Sequence, residues 1–440
     1  MPICSKSIAL VALTFLIQTG AAHAVTVFQE DSESLSSLLT VNSSDKVREA
    51  IGHIAAGNVG AAIAELTVLD QAGQTDATFF LGYFHQLGLG MPKSQDRAIE
   101  LYERAIKGGH NLAKVNLARA FLFSPKPTPE QAQRAAELLL QAAPSTPQAA
   151  VTLGHLEAFG VGRPKDFSKA KEWFNKAAEA GSAEGNFNLA HLYRGSMGFP
   201  EKRDVNQAVV HLDRAAKADY EKAVFLLAQV LCEGEGVLTN RREALRVIDE
   251  FVQKKKSPGV AVRAANVCET LQPPDLAAAQ RYLRFAAEKG YLDGQNFLGM
   301  HLRRYSTGEA DLKEAAEWFR KAAEKQNVAA MLNFADVCRL GLGVAKDNNL
   351  ARELARGALR LGNPGGALAL ALTYQATPDT ADASPPKLVA LARWAKAHGV
   401  PKAAEVADAA AKDLSPEALA SGEKWLADFF RALQTATPLN

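Results

Sequence analysis

From residue 76 onward, apolar residues recur every three or four positions in short paired runs, and polar, glycine-bearing breaks separate the runs. Phe187, Leu189, Ala190, Leu192 and Tyr193 form one such face, the period of an amphipathic helix. The run before it, AKEWFNKAAEAG from Ala170, carries a narrower face on which Ala177 and Ala178 admit a close neighbour. The pattern then repeats. AKEWFNKAAEAGSAEGNFNLAHLY (Ala170 to Tyr193) and AEWFRKAAEKQNVAAMLNFADVC (Ala316 to Cys338) are the same unit, and Trp173 and Trp318 stand four periods of about 36 residues apart.

Two further landmarks keep that period. A glycine loop returns as GLGMPKSQD (Gly88 to Asp96), GVGRPKDFS (Gly160 to Ser168), GEGVLTNRR (Gly234 to Arg242) and GLGVAKDNN (Gly341 to Asn349). A small pair marks the middle of each first helix: Leu81-Gly82, Leu117-Ala118, Leu153-Gly154, Leu189-Ala190, Leu227-Ala228, Ala264-Ala265, Leu298-Gly299 and Phe334-Ala335. Each unit therefore reads as two antiparallel helices. The glycines supply positive φ in the turn, and Pro92 and Pro164 are expected to stop the first helix. One pair cannot bury its apolar face alone, so neighbours must stack into a continuous core.

The consensus through Leu153-Gly154, Gly160-Val161-Gly162, Asp166, Lys169-Ala170, Trp173 and Lys176-Ala177-Ala178 resembles the Sel-like repeat, a relative of the tetratricopeptide repeat. The resemblance implies an all-α, right-handed superhelical solenoid of about nine helix pairs over residues 77–399. Residues 111–146 lose the glycine loop to Ser124-Pro-Lys-Pro-Thr-Pro129, and residues 221–291 keep the period with degraded second helices. The unit at 364–399 replaces its loop with a Pro/Asp/Ala-rich stretch from Thr377 to Pro386, expected to be a mobile excursion. Residues 44–76, broken at Gly57-Asn58, read as a capping helix pair. Residues 400–440 read as capping helices, the last opening at Ser415-Pro416 with a stripe of Trp425, Leu426, Phe429 and Phe430. Similar L-S-P-E helices end many chains of the family.

The first 24 residues read differently. Lys6, an apolar run from Ile8 to Ile17, and Ala22-His23-Ala24 have the order of a secretory signal cut after Ala24. The run is too short to span a bilayer, although an uncleaved anchor is the alternative. Residues 25–43 lack periodicity and read as a flexible lead-in. The expected mature chain is periplasmic or secreted and has no membrane span. Lys+Arg 50 against Asp+Glu 48 leaves +2, a balance without the footprint of a nucleic-acid binder. The cluster Lys254-Lys255-Lys256 reads as a solvated helix end.

Chemistry is sparse. The chain has no HExxH, GxSxG or Walker loop, its histidines are dispersed, and no cofactor, metal or catalytic residue is expected. The paired-cysteine pattern of some Sel-like repeats is absent. Cys232, Cys268 and Cys338 read as small core residues, with a Cys232–Cys268 bond the alternative. The repeated tryptophans are expected to pack between repeats rather than stack on a ligand. Directly after the small pair stand Tyr83, Arg119, His155, His191, Gln229, Asn266, Met300 and Asp336. Three residues before these stand Phe80, Asn116, Thr152, Asn188, Leu226, Arg263, Phe297 and Asn333, on the same helix face.

Resemblance to tetratricopeptide repeats implies that these columns line a concave side. Asn116, Arg119, His155, Asn188, His191, Asn333 and Asp336 are then the candidate partner-binding residues, most densely placed between 116 and 194. The alternative is that the asparagines only satisfy nearby backbone. The expected function is a non-enzymatic scaffold for protein partners of the cell envelope, polysaccharide secretion components among them. Two alternatives are a periplasmic regulator of a sensor kinase, or host-contact factor, and a cell-wall or polysaccharide-active enzyme.

Overall fold

The computed structural model describes residues 44–55, 58–122, 128–160, 164–234, 238–377 and 383–435. The signal, the lead-in, Gly57, Gly162, Gly236, most of the Ser124–Pro129 loop and the centre of the Thr377–Pro386 stretch lie outside these residues. The described residues are helical throughout, without a strand, in two compact units divided between Phe251 and Val252.

The first unit opens with α1 (Asp45–Ala55) and α2 (Val59–Gln71), the latter capped by Asn58, whose side chain accepts the Ala61 N–H. Then come the pairs α3 (Thr75–Leu87) and α4 (Gln95–Lys107), α5 (Asn111–Leu122) and α6 (Pro129–Ala142), and α7 (Pro147–Phe159) and α8 (Phe167–Glu179). The pair α9 (Ala183–Tyr193) and α10 (Val205–Lys217) follows, then α11 (Glu221–Glu233) and the start of α12 (Arg241–Lys255). Each of α4, α8 and α10 packs on the first helix of its own pair and on that of the next. Polar N-caps set where these second helices begin: Ser94, Asp166 and Asp204 each accept a backbone N–H of the first turn.

The second unit continues with α13 (Pro258–Thr270), α14 (Leu276–Glu288), α15 (Leu292–Arg304), α16 (Glu309–Glu324), α17 (Val328–Leu340), α18 (Asn348–Arg360), α19 (Gly365–Ala376) and α20 (Pro385–Ala397). It closes with α21 (Ala403–Ala411) and α22 (Pro416–Thr435). Here α22 lies on α20, and Trp425, Leu426, Phe429 and Phe430 pack half-buried against a core containing Leu388 and Leu391.

The first helices α3, α7, α11 and α17 end on glycine and not on proline. Gly88, Gly160, Gly234 and Gly341 all adopt the left-handed conformation, and each donates its N–H to the carbonyl four residues back. Pro92 stands several residues beyond an end already made. The small pair is a hole. A Cβ on Gly154 would meet the Phe174 ring at 2.5 Å, and one on Gly299 would meet Phe319 at 2.7 Å. Phe174 and Phe319 are fully buried, whereas the neighbouring tryptophans are not. Trp173 and Trp318 lie half-buried, with Lys176 Nζ 4.2 Å and Lys321 Nζ 4.1 Å from their ring centres. Trp173 borders the cores on both sides, in keeping with a packing role.

Candidate interaction face

In the first unit, α5, α7 and α9 are successive first helices that touch one another directly. The two polar columns meet along this contact. Arg119 on α5 donates Nε–H to Thr152 Oγ1 on α7 at 3.2 Å, and the Thr152 hydroxyl donates onward to the Gln148 carbonyl. One repeat later, His155 Nε2 lies 3.0 Å from Asn188 Oδ1 on α9. Because Oδ1 can only accept, the imidazole carries its proton on Nε2. Asn188 Nδ2 donates to the Glu184 carbonyl at 2.9 Å, which fixes the amide orientation.

His191 continues the row with the opposite tautomer. Ser196 Oγ–H donates to the His191 carbonyl at 2.8 Å, so the 3.0 Å contact to His191 Nδ1 requires Nδ1–H to donate. Both ladder bonds between helices span 33 residues, one period less the three that separate the columns. The columns are thus each other's partners across repeats. His155 Nδ1 and His191 Nε2 make no hydrogen bond among the described residues.

Burial holds both imidazoles neutral. His155 lies below the usual histidine value through burial and the Arg119 charge, which outweigh the Asn188 bond and the Glu184 charge. His191 falls to about 4, through burial first and then the charges of Arg194 and His155. Asn116 is buried beside Tyr102, with which its side chain interacts, so it faces inward. Arg119, His155 and His191 are partly exposed. One turn beyond Tyr83 and His155, Leu87 and Phe159 are 39% and 53% exposed.

The second unit places Asn333 and Asp336 on α17. Asn333 Nδ2 donates to Asn296 Oδ1 at 2.8 Å, and Asp336 is held between Arg303, at 2.6 Å, and Arg339. The one carboxylate thus serves both guanidiniums. Arg303, Asn296 and the buried His301, paired with Glu269, lie outside the two columns read from sequence. The Arg303–Asp336 spacing of 33 residues repeats the ladder rule and is the signal that finds it. Cys232, Cys268 and Cys338 are buried thiols, and burial followed by the Asp347 charge pushes Cys338 up to about 11. Among the described residues no group of three or more His, Cys, Asp or Glu is placed to hold a metal ion, and no helix is long and apolar enough to cross a membrane.

Paired helices at a fixed period, with side-chain ladders between first helices, define an α-helical repeat scaffold. This chain belongs to the Sel1 repeat family: the family profile matches residues 75–110, 112–143, 147–182, 183–220, 221–246, 269–291, 292–327 and 328–363, more than half the chain. The helix pair α19–α20 lies beyond those eight matches. A protein named chitin synthase regulatory factor 3, of Schizosaccharomyces pombe, is 27% identical over 309 residues, 66% of this chain and 28% of that one. An uncharacterized protein of Neisseria meningitidis serogroup B is 28% identical over 202 residues, 46% of this chain and 34% of that one. The chain thus spans about a third or less of these curated relatives. Among solved structures, a protective antigen of uropathogenic Escherichia coli with an SLR fold aligns at TM-score 0.40 and 19% identity, over 95% of this chain and 91% of that one. A Sel1 repeat protein from Oxalobacter formigenes aligns at 0.39 and 25%, over 74% and 93%.

Proposed function

We propose that this protein is a non-catalytic scaffold of the cell envelope, exported by its N-terminal signal, that gathers protein partners on the first-helix face of α5, α7 and α9. The observation carrying the reading is that face itself. Three successive first helices present Arg119, His155 and His191 at one register, partly exposed, with the exposed Phe159 ring 6.0 Å from that of His155. Directional donors flanked by apolar surface suit recognition of a protein segment. Polysaccharide synthesis or export components are the partner class we favour, and the fungal relative's name, a chitin synthase regulatory factor, supports that choice.

The test places a photo-crosslinking residue at 155 or 191 in the exported chain, with Lys325 as the control site. We expect one stoichiometric envelope protein captured from 155 and 191 and not from 325. Capture of nothing, or equal capture from all three sites, overturns the reading.

A further inference from the structure

Three histidines of the first unit converge on α9. His155 Nε2 on α7 meets Asn188 Oδ1, and His211 Nδ1 on α10 meets Asn186 Oδ1, each at 3.0 Å. His191 Nδ1, on α9 itself, meets Ser196 Oγ just beyond the helix, also at 3.0 Å. The helix is thus tied through imidazoles to the first helix before it and to the second helix of its own pair. The rings pack as core does. Between ring centres, His155 stands edge-on to Phe174 at 5.3 Å, His211 stacks on Tyr193 at 5.7 Å, and His191 meets Phe187 at 4.6 Å.

The other described histidines stand differently. His53, His110 and His301 lie against the carboxylates of Glu65, Asp76 and Glu269, and His85 and His398 against backbone carbonyls. A carboxylate within reach offsets an imidazolium as it forms, which a neutral amide or hydroxyl cannot do. Among the described residues no carboxylate forms an ion pair with His155, His191 or His211. Their hydrogen bonds survive protonation, because the donating nitrogen already carries its proton, so the cost of acid is a buried charge. Burial is the first cause holding all three rings neutral. The charged groups facing them come after it: Glu184 of α9 and Arg119 of α5 at His155, Arg194 and His155 at His191, Arg214 of the same helix and Lys171 of α8 at His211. Glu184 favours the charged form of His155, and Arg194 has partners of its own.

Little in α9 itself resists opening. Its 11 residues are fewer than the 13 each of the neighbouring first helices α7 and α11, and they include Gly185, Asn186, Asn188 and His191, all weak helix formers. What holds the helix is packing, in which Leu189, Ala190 and Leu192 have no exposed surface. We propose that α9 is an acid-released element: protonation of His155, His191 and His211 loosens it from α7 and α10, locally and reversibly, while the second unit stays closed. The release uncovers Leu189 and Leu192 and interrupts the row of first helices, whether or not a partner binds there. The opened helix takes up protons from about pH 6.5 downward and the closed one only at lower pH, for His191 near 4, so the closed form loses its advantage through that window.

Hydrogen exchange of the mature chain, read by mass spectrometry at pH 7.0 and 4.5 and corrected for the pH dependence of intrinsic exchange, tests the proposal. Protection of the α9 amides should fall at least about tenfold on acidification, and that of α15 and α17 less than about twofold. Return to pH 7.0 should restore it. The triple substitution His155→Gln, His191→Gln, His211→Gln keeps an N–H donor at each place and cannot take up a proton. It should reduce the fall in α9 to that of α15. Should the triple variant misfold, the comparison of α9 with α15 and α17 in the unsubstituted chain decides alone. Protection of α9 that is unchanged at pH 4.5, that falls no more than in α15 and α17, or that does not return at pH 7.0 overturns the proposal. So does a folded triple variant whose α9 responds as before.

Discussion

At the scale of single residues, stability turns on a hole and on the protonation of a ladder. Gly154 exists because Phe174 fills the space where a Cβ would be, and the phenylalanine has no exposed surface. Gly154→Ala should therefore cost about 1–3 kcal/mol, the usual range for overpacking a tight core. Gly52, in the middle of α1 with nothing within 4 Å of an added Cβ, is the contrasting case. There alanine should stabilise by up to about 1 kcal/mol, its helix-propensity advantage. Thermal unfolding of the two variants decides it, with opposite signs expected. The histidines give a pH dependence. His110, His155, His191 and His211 all lie below the usual value, with burial the first cause of each. The unfolded chain then binds more protons than the folded one as pH falls below about 6.5, so the stability present above that value is lost on acidification. For His191 the loss continues to about 4. Urea midpoints should fall between pH 6.5 and 4, and His191→Gln should flatten that slope. A midpoint constant across the window would contradict the neutral ladder.

At the scale of elements, most of the helix pattern was legible and its inner face partly so. The 36-residue period and the small pairs appear in the residues themselves, because each is a local requirement repeated many times. Which aromatic fills the hole was harder to read. The tryptophan recurs more conspicuously, but Phe174 and Phe319 follow it by one residue, and a step of one turns about 100° around a helix. Only the second residue points into the pair. The polar columns were legible, but their use was not. Arg119 and Thr152, or His155 and Asn188, are joined only when one column is set against the other a repeat later, a tertiary fact. The terminal helix α22 carries its own prediction. Phe430 stands 4.6 Å from Trp394 and 5.5 Å from Phe429, ring centre to ring centre, half-buried over the last core. Repeat arrays need such an end cap to cover apolar surface. Phe430→Ala should cost about 2 kcal/mol, roughly half the loss for a fully buried ring. An unchanged melting transition would mean that α22 adds nothing to its unit.

At the scale of the whole molecule, balanced charge and periodic packing leave recognition to local features of the two units. With +2 over 440 residues, long-range steering is weak, and binding is left to local contacts. Many other charges are taken up on the second helices by pairs three or four residues apart, such as Lys176–Glu172, Lys217–Asp213 and Arg320–Glu324. Such exposed pairs add little stability each, and they keep a long surface soluble and indifferent. The proposed envelope role requires the chain to reach that surface's partners, which returns the question to the first 24 residues. An apolar run of about ten residues between Lys6 and Ala22-His23-Ala24 suits a signal that is removed rather than a span of about 20 residues. Expressed at native level and recovered from the extracytoplasmic fraction, the protein should begin at Val25 by N-terminal sequencing. Replacing Ala22 and Ala24 with bulky residues should leave a longer, membrane-associated precursor, because a small-residue site is what the processing enzyme needs. Recovery of an intact Met1 chain from the cytoplasm would separate the scaffold from the envelope. The proposed interaction face would then have to find its partner inside the cell.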